Sequence, residues 1–287
     1  MQELYTQYKP LLFKLAYQLT GSVTDAEDAV QDVFLKVFDV PPEKLTQPKA
    51  YLCKMVTNRC RDLHKAARKK REHYFGEWLP EPFLTEEGDE MEEVVRDDLL
   101  SYAMLVLLER LTPTERTVFV LREALGFEFQ EIAELSGKSD ANCRKLLSRA
   151  RAKMGIEPEE PIRPEAGNQE WVNGFMTALK QGDMNRILAL LDQNVVLISD
   201  GGGKVSATVN PIYTRERVMR FLSGLIRKAG INGGSMGIDV VDINGQRAIV
   251  LRSAEGIHTV VMLRVEADVA TRLYFVRNPD KLMHVGA

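Results

Sequence analysis

The stretch Pro113–Lys153, PTERTVFVLREALGFEFQEIAELSGKSDANCRKLLSRARAK, decides the reading of the chain. It divides into three helical patterns separated by short glycine turns. After Pro113 and Thr114, the apolar residues Val118, Val120, Leu121 and Leu125 recur at near-helical spacing, and Gly126 ends the run. A second helix near 128–135 turns Ile132 and Leu135 inward. Its small Ala133 permits a close crossing, and Gly137 makes the next turn. Ser139 is placed to cap the third helix, with Asp140 at its positive end. Cys143, Leu146, Leu147 and Ala150 share an inner face, which leaves Asn142, Arg144, Lys145, Ser148, Arg149 and Arg151 facing outward. Residues 138–153 hold six Lys/Arg against one Asp. A basic helix after such a turn fits the major groove of duplex DNA, where Arg, Asn and Lys reach base edges or phosphates. The bland alternative is a solvated helix on an ordinary bundle, and the turn spacing argues against it.

At 287 residues the chain has room for two or three domains, each with its own core. No apolar run approaches the roughly 20 residues that cross a bilayer, and no signal-peptide pattern is present, so a cytoplasmic protein without membrane contact is expected. Cys53, Cys60 and Cys143 form neither a CxxC pair nor a zinc set with the scattered histidines, so each reads as a small buried helix residue and no cofactor is expected. The net charge of −3 conceals a division along the chain. Residues 81–98 contain nine acidic side chains and one Arg, so the remainder is net positive.

Upstream, residues 1–75 read as a helical domain. Its first helix spans 4–19, and Thr24 and Glu27 suggest a capping box opening a second. Val30, Val33, Phe34 and Val37 form the apolar face of that helix, while Asp25, Asp28, Gln31, Asp32 and Lys36 stay mostly outside. Pro41 and Pro42 break the chain, and a third helix starts near Pro48. Its end, RCRDLHKAARKKR at 59–71, carries seven Lys/Arg and one Asp. With Tyr51 to stack beside an exposed base, Asn58 polar on the same helix, and Arg59, Arg61, Lys65 and Arg68 following a backbone, this surface suits a DNA strand. Two separate DNA surfaces are thus expected.

Residues 76–98 form an acidic connector containing WLPEP at 78–82, where Trp78 and Phe83 suggest partial docking on protein. Residues 99–154 make the DNA-reading unit, with a further helix at 99–109, and 155–167 form a second linker. The last unit, 168–284, changes character. Helices at 169–180, 183–191 and 215–227 alternate with strands at 195–199, 236–243, 247–252, 257–266 and 270–276. Asn244–Gly245 and Glu255–Gly256 are hairpin turns in this reading, which implies an α+β domain with an antiparallel sheet.

On these residues the chain resembles bacterial RNA polymerase sigma factors of the extracytoplasmic-function type. LTGSVTDAEDAVQDVFLKVF at 19–38 is similar to region 2 with its polymerase-clamp helix. PKAYLCKMVTNRCRDLHKAARKKR at 48–71 is similar to the segment that opens and reads the −10 element, and 111–153 to region 4, which reads the −35 element. Lys138 and Leu146 depart from the hydrophobic residue and the Arg common there. WLPEP, DGGGK at Asp200–Lys204 and NPDKL at Asn278–Leu282 resemble motifs of the sigma-J-like group 41, which carries a fused SnoaL-like (NTF2-like) domain. The resemblance implies a multidomain protein, not itself an enzyme, whose partners are core RNA polymerase, through Asp25, Asp28, Gln31 and Asp32, and promoter DNA. It implies regulation by the extension, with Trp78, Asp200, Gly201, Gly202, Gly203, Lys204, Asn278, Asp280 and Lys281 as a docking surface. Asp200, Tyr213, His258 and Tyr274 are the candidates for an alternative isomerase or cyclase site, and a small-molecule ligand of that domain stays open.

Overall fold

A computed structural model describes residues 2–41, 45–71, 74–85, 100–159, 162, 168–228 and 236–286, without the side chains of 67–71. The chain divides into two compact units. One comprises 1–72, 86–100 and 104–163, and the other 73–85, 101–103 and 164–287.

The first unit is helical. α1 (Gln2–Thr20), α2 (Val23–Phe38) and α3 (Pro48–Arg71) pack on Leu12, Leu15, Ala26, Val30, Val33, Leu52 and Val56, all nearly inaccessible to solvent. The cap of α2 is Ser22, whose hydroxyl accepts from the Asp25 amide at 3.1 Å, and not Thr24 as its spacing to Glu27 suggested. The helix starts two residues earlier than that pairing allows, which leaves Thr24 inside the first turn and exposed.

After α4 (Tyr102–Leu108), α5 (Pro113–Phe119) opens on a Thr112 capping box with Glu115. It widens into a π-helical turn at Val120–Ala124 before Gly126. α6 (Phe129–Ser136) ends at Gly137, whose φ of 66° supplies the left-handed turn into α7 (Asp140–Met154), capped by Ser139. Arg116, 2% exposed, ties these helices to α1. It donates to the Leu108 carbonyl from Nε and Nη2, and from Nη1 to the Leu19 carbonyl at the end of α1.

The second unit has a six-stranded sheet in the order β2-β1-β6-β5-β4-β3. Its strands are β1 (Leu191–Asp200), β2 (Ile212–Tyr213), β3 (Gly237–Ile243), β4 (Gln246–Ser253), β5 (Gly256–Glu266) and β6 (Val269–Val276). The sheet is mixed, not purely antiparallel: β1 lies parallel to β6, and the other pairs are antiparallel. A parallel neighbour demands a long crossover, here everything between 200 and 269, so local hairpin signals do not reveal it. α8 (Gln169–Gln181), α9 (Met184–Ala189) and α10 (Arg215–Lys228) contribute Trp171, Phe175, Leu179, Val218 and Leu222 to a core with Leu251, Leu263 and Phe275. Among the described residues, no helix is long and apolar enough to cross a membrane.

Candidate nucleic-acid interface and connector site

On α2 the apolar positions Ala26, Val30, Val33 and Val37 are buried, which fixes what faces outward. Asp28 and Gln31 are exposed, and Asp25 and Asp32 half-buried. The same stripe continues into Leu35, 64% exposed, and Phe38, 72% exposed, two large apolar groups that the charge-centred reading passed over. With Tyr5, Lys9 and Phe13 of α1 they border a groove of about 560 Å³. The signal was present in sequence, since Leu35 lies three or four residues beyond Gln31 and Asp32.

On α3, Tyr51 keeps 37% of its surface accessible. Its polar neighbours are engaged with each other. Arg59 pairs with Asp32 at 2.7 Å, Arg61 donates to Asn58 at 2.9 Å, and Lys65 pairs with Asp62 at 3.2 Å. These are accessible pairs of small net worth, so phosphate oxygens can displace them cheaply. The side chain of Arg68 lies outside the described residues. Cys53 and Cys60, as expected, are buried in this helix. Burial pushes the Cys53 thiol up to about 12, so it is no reactive thiolate.

On α7, Asn142, Arg144, Lys145, Ser148 and Arg149 are all exposed, while Cys143, Ala150 and Met154 are buried. Arg151 is a correction, because it turns inward and pairs with Glu123 at 2.8 Å, both side chains nearly buried. Lys153 binds Glu115 from the same end of the helix. Burial alone would raise the Glu115 carboxyl, but Lys153 and the capping bonds from Thr112 hold it below its ordinary range.

In the second unit the residues of WLPEP, DGGGK and NPDKL meet. Asp200, with no accessible surface, ends β1. Its carboxylate accepts from the Lys281 ammonium at 2.7 Å, the Leu79 amide at 2.9 Å, the Tyr74 hydroxyl at 2.5 Å and the Gly202 amide at 3.0 Å. Lys281 also donates to the Leu79 carbonyl at 2.5 Å, and its ammonium lies 4.0 Å from the centre of the Trp78 ring. Burial and the neighbouring Asp200 carboxylate push the Tyr74 phenol above its usual value. Asp200 and Lys204, both expected on the docking surface, part company. Asp200 goes to the interior, and Lys204 reaches Asp280 at the surface instead.

The first two of the three glycines have a steric reason. A Cβ at Gly201 would lie 2.5 Å from the Val205 carbonyl oxygen. At Gly202, where φ is +60°, it would lie 2.4 Å from Nδ2 of Asn278. Asn278 cannot yield freely, since Nδ2 donates to Tyr74 and Oδ1 accepts from the Asp280 amide.

The connector extends this site along the sheet. Leu84 bridges Ile243 antiparallel, the Thr85 amide donates to Asp242, and Asn244 donates to the Phe83 carbonyl. Tyr102 donates to the Pro80 carbonyl at 2.7 Å and packs edge-on against Tyr274. Tyr74, Leu79 and Tyr102 were missed in the sequence because their partners stand a hundred residues or more away, or are main-chain groups.

The acid-base quartet does not assemble. Asp200 is ion-paired, Tyr213 is 56% exposed, His258 shares a 2.6 Å hydrogen bond with Ser253, and Tyr274 packs on Tyr102. Among the described residues, a cavity of about 40 Å³ in this domain is lined by apolar side chains that include Trp171, Phe175, Leu222, Ile249 and Phe275.

The Sigma-70 region 2 family matches residues 4–71, and the Sigma-70 region 4 family matches residues 101–154. The chain is 32% identical to the ECF RNA polymerase sigma factor SigJ of Mycobacterium tuberculosis, with 94% of this chain and 89% of that protein covered. It is 28% identical to the ECF RNA polymerase sigma factor SigE of Mycolicibacterium smegmatis over 53% of this chain and 59% of that one. The crystal structure of Mycobacterium tuberculosis SigJ aligns with a TM-score of 0.81 at 30% identity, covering 99% of each chain. Both sigma regions are matched and the relationship extends through the C-terminal unit, so the chain belongs to the extracytoplasmic-function RNA polymerase sigma factors.

Proposed function

We propose that this chain binds core RNA polymerase through the exposed stripe of α2 and directs initiation at promoters. In this reading α3 captures the opened −10 strand and α7 reads the −35 duplex. Nucleotide addition belongs to the core enzyme, and the chain acts in the cytoplasm. The outward row of Asn142, Arg144, Lys145, Ser148 and Arg149 supports the −35 assignment, since these are groups that bind base edges and phosphates.

We also propose that the C-terminal extension regulates this activity by holding the connector. The observation that carries this is the closure of Asp200 and Lys281 on the main chain of Leu79. Residues 74–85 follow α3 and precede α4 in the chain, so a held connector limits how far the −10 and −35 readers can separate. Transcription reconstituted with purified core polymerase tests this by comparing the wild type with Lys281→Met. Transcript yield should change as the Leu79 amide loses its protection from hydrogen exchange. Unchanged yield with a released connector would count against regulation by this route.

A small-molecule reading of the extension retains one supporting observation, the apolar cavity. A wall without acid or base favours binding of a small hydrocarbon group over isomerase or cyclase chemistry.

A further inference from the structure

Arg144 stands in the exposed row of α7, and its guanidinium is held on two sides. Asp140, one turn earlier, accepts from Nε at 2.6 Å and from Nη2 at 3.4 Å. Phe129, at the start of α6, lies under the same group, with its ring centre 4.2 Å from the guanidinium carbon. The ring is steadied in turn. Arg122 lies 5.0 Å from its centre, pairs with Glu128 and donates to the Phe127 carbonyl.

This leaves one edge of Arg144 open. A carboxylate on the Nε and Nη2 side occupies one edge of the planar fork, while Nη1 and the second hydrogen of Nη2 remain directed away from it. That free pair matches the O6 and N7 acceptors of guanine. Exposure agrees, since 61% of the Arg144 side chain is accessible. An unrestrained arginine would lose rotamer freedom on binding and could as well swing to a phosphate, which carries no sequence information. A carboxylate on a DNA-facing surface repels phosphates, so its presence is explained by what it does to Arg144. An ordinary i,i+4 surface pair accounts for the Asp140 contact alone and leaves the aromatic support from another helix unexplained.

We infer that Asp140 and Phe129 are positioning residues that aim Arg144 at a single guanine of the −35 element and deny it the backbone. This rests on the reading of α7 as the −35 helix. The clamp sets specificity, so loosening it separates specificity from affinity. Asp140→Asn keeps the shape but weakens the hold and removes a negative charge. Base discrimination should therefore fall at one position, while binding to DNA with the other bases there stays equal or tightens. Damage to the fold weakens every sequence and cannot produce that pattern.

The experiment uses the full chain assembled with core polymerase, selected on promoter fragments with a randomised −35 region, and the bound fraction is sequenced. The variants are Arg144→Lys, Asp140→Asn and Phe129→Leu. Arg144→Lys should lose about tenfold or more of the preference for guanine at one position, the size of a bidentate contact. Asp140→Asn and Phe129→Leu should lose part of that preference at the same position and leave the others unchanged. If Arg144→Lys shows no positional loss, the assignment of Arg144 as a base reader fails, and the clamp with it. If Arg144→Lys shows the loss while Asp140→Asn and Phe129→Leu keep full discrimination, or weaken all positions equally, the clamp alone is overturned.

Discussion

Asp200 and Lys281 form an ion pair at 2.7 Å with 0% and 6% of their side chains exposed, and the main chain of Leu79 binds both members. Every oxygen of that carboxylate is satisfied, and the ammonium rests against Trp78. Removing one member leaves the other charged, buried and uncompensated, the costly way to break such a pair. Lys281→Met and Asp200→Asn should each destabilise the second unit by about 3–5 kcal/mol. Urea unfolding followed by Trp fluorescence measures this. A loss below about 1 kcal/mol would show the pair to be dispensable.

Alanine at Gly201 and Gly202 should be worse than alanine at Gly155. Gly155 shares the positive φ of Gly202 but has open space around its missing side chain, whereas Gly201 and Gly202 would meet the Val205 carbonyl and the engaged Asn278 amide. Gly155→Ala should cost about 1 kcal/mol from its backbone conformation alone. Gly201→Ala and Gly202→Ala should each cost about 2 kcal/mol or more. Equal melting temperatures for the three variants would contradict this ranking.

How much of this was legible in the sequence differs between the units. The turns at Gly137 and Ser139, the outward row on α7 apart from Arg151, and the Asn244–Gly245 hairpin follow from local chemistry, and the structure repeats them. The π-helical turn at Val120–Ala124 left no pattern, because it is a single turn that begins within the unbroken apolar run Val118–Leu121, all buried, where no periodicity can register. β2 is two residues long, too short for any alternation to register. Asp200 looked like a surface acid beside three glycines, and only its distant partners Lys281 and Tyr74 make its burial affordable. Nothing in the local sequence marks Arg116 for burial either, and only its bonds to the Leu19 and Leu108 carbonyls place it in the interior.

Glu115 gives the first unit an acid-sensitive element. Its folded carboxyl titrates below its ordinary value near 4.5, so the unfolded chain takes up the proton first. The stabilisation from Lys153 and the Thr112 cap is therefore complete above that ordinary value and lost as pH falls through the lower folded one. Thermal melts between pH 6 and 3 should show a decline in stability that Glu115→Gln reduces. The same slope in both proteins would assign the acid sensitivity elsewhere.

The stripe on α2 should tolerate change in the free chain and not in the complex. Leu35→Asp replaces a side chain that is 64% exposed, so folding stability should move by no more than about 0.5 kcal/mol. Affinity for core polymerase should fall about tenfold or more if Leu35 anchors the contact, and combined replacement of Asp28 and Gln31 by Arg should weaken it further. Binding measured by fluorescence anisotropy at fixed salt decides this, and unchanged affinity with an intact fold would remove α2 from the interface.

As a sigma factor this chain should make core polymerase start RNA at chosen sites. Its most direct test is to map RNA 5′ ends from purified core polymerase on fragmented genomic DNA, with and without the full-length chain. The expected result is a set of discrete 5′ ends that require the chain, share an upstream element, and are lost when Tyr51 and Arg59 or Arg144 and Lys145 are replaced by alanine. The same collection of 5′ ends with and without the chain would contradict it.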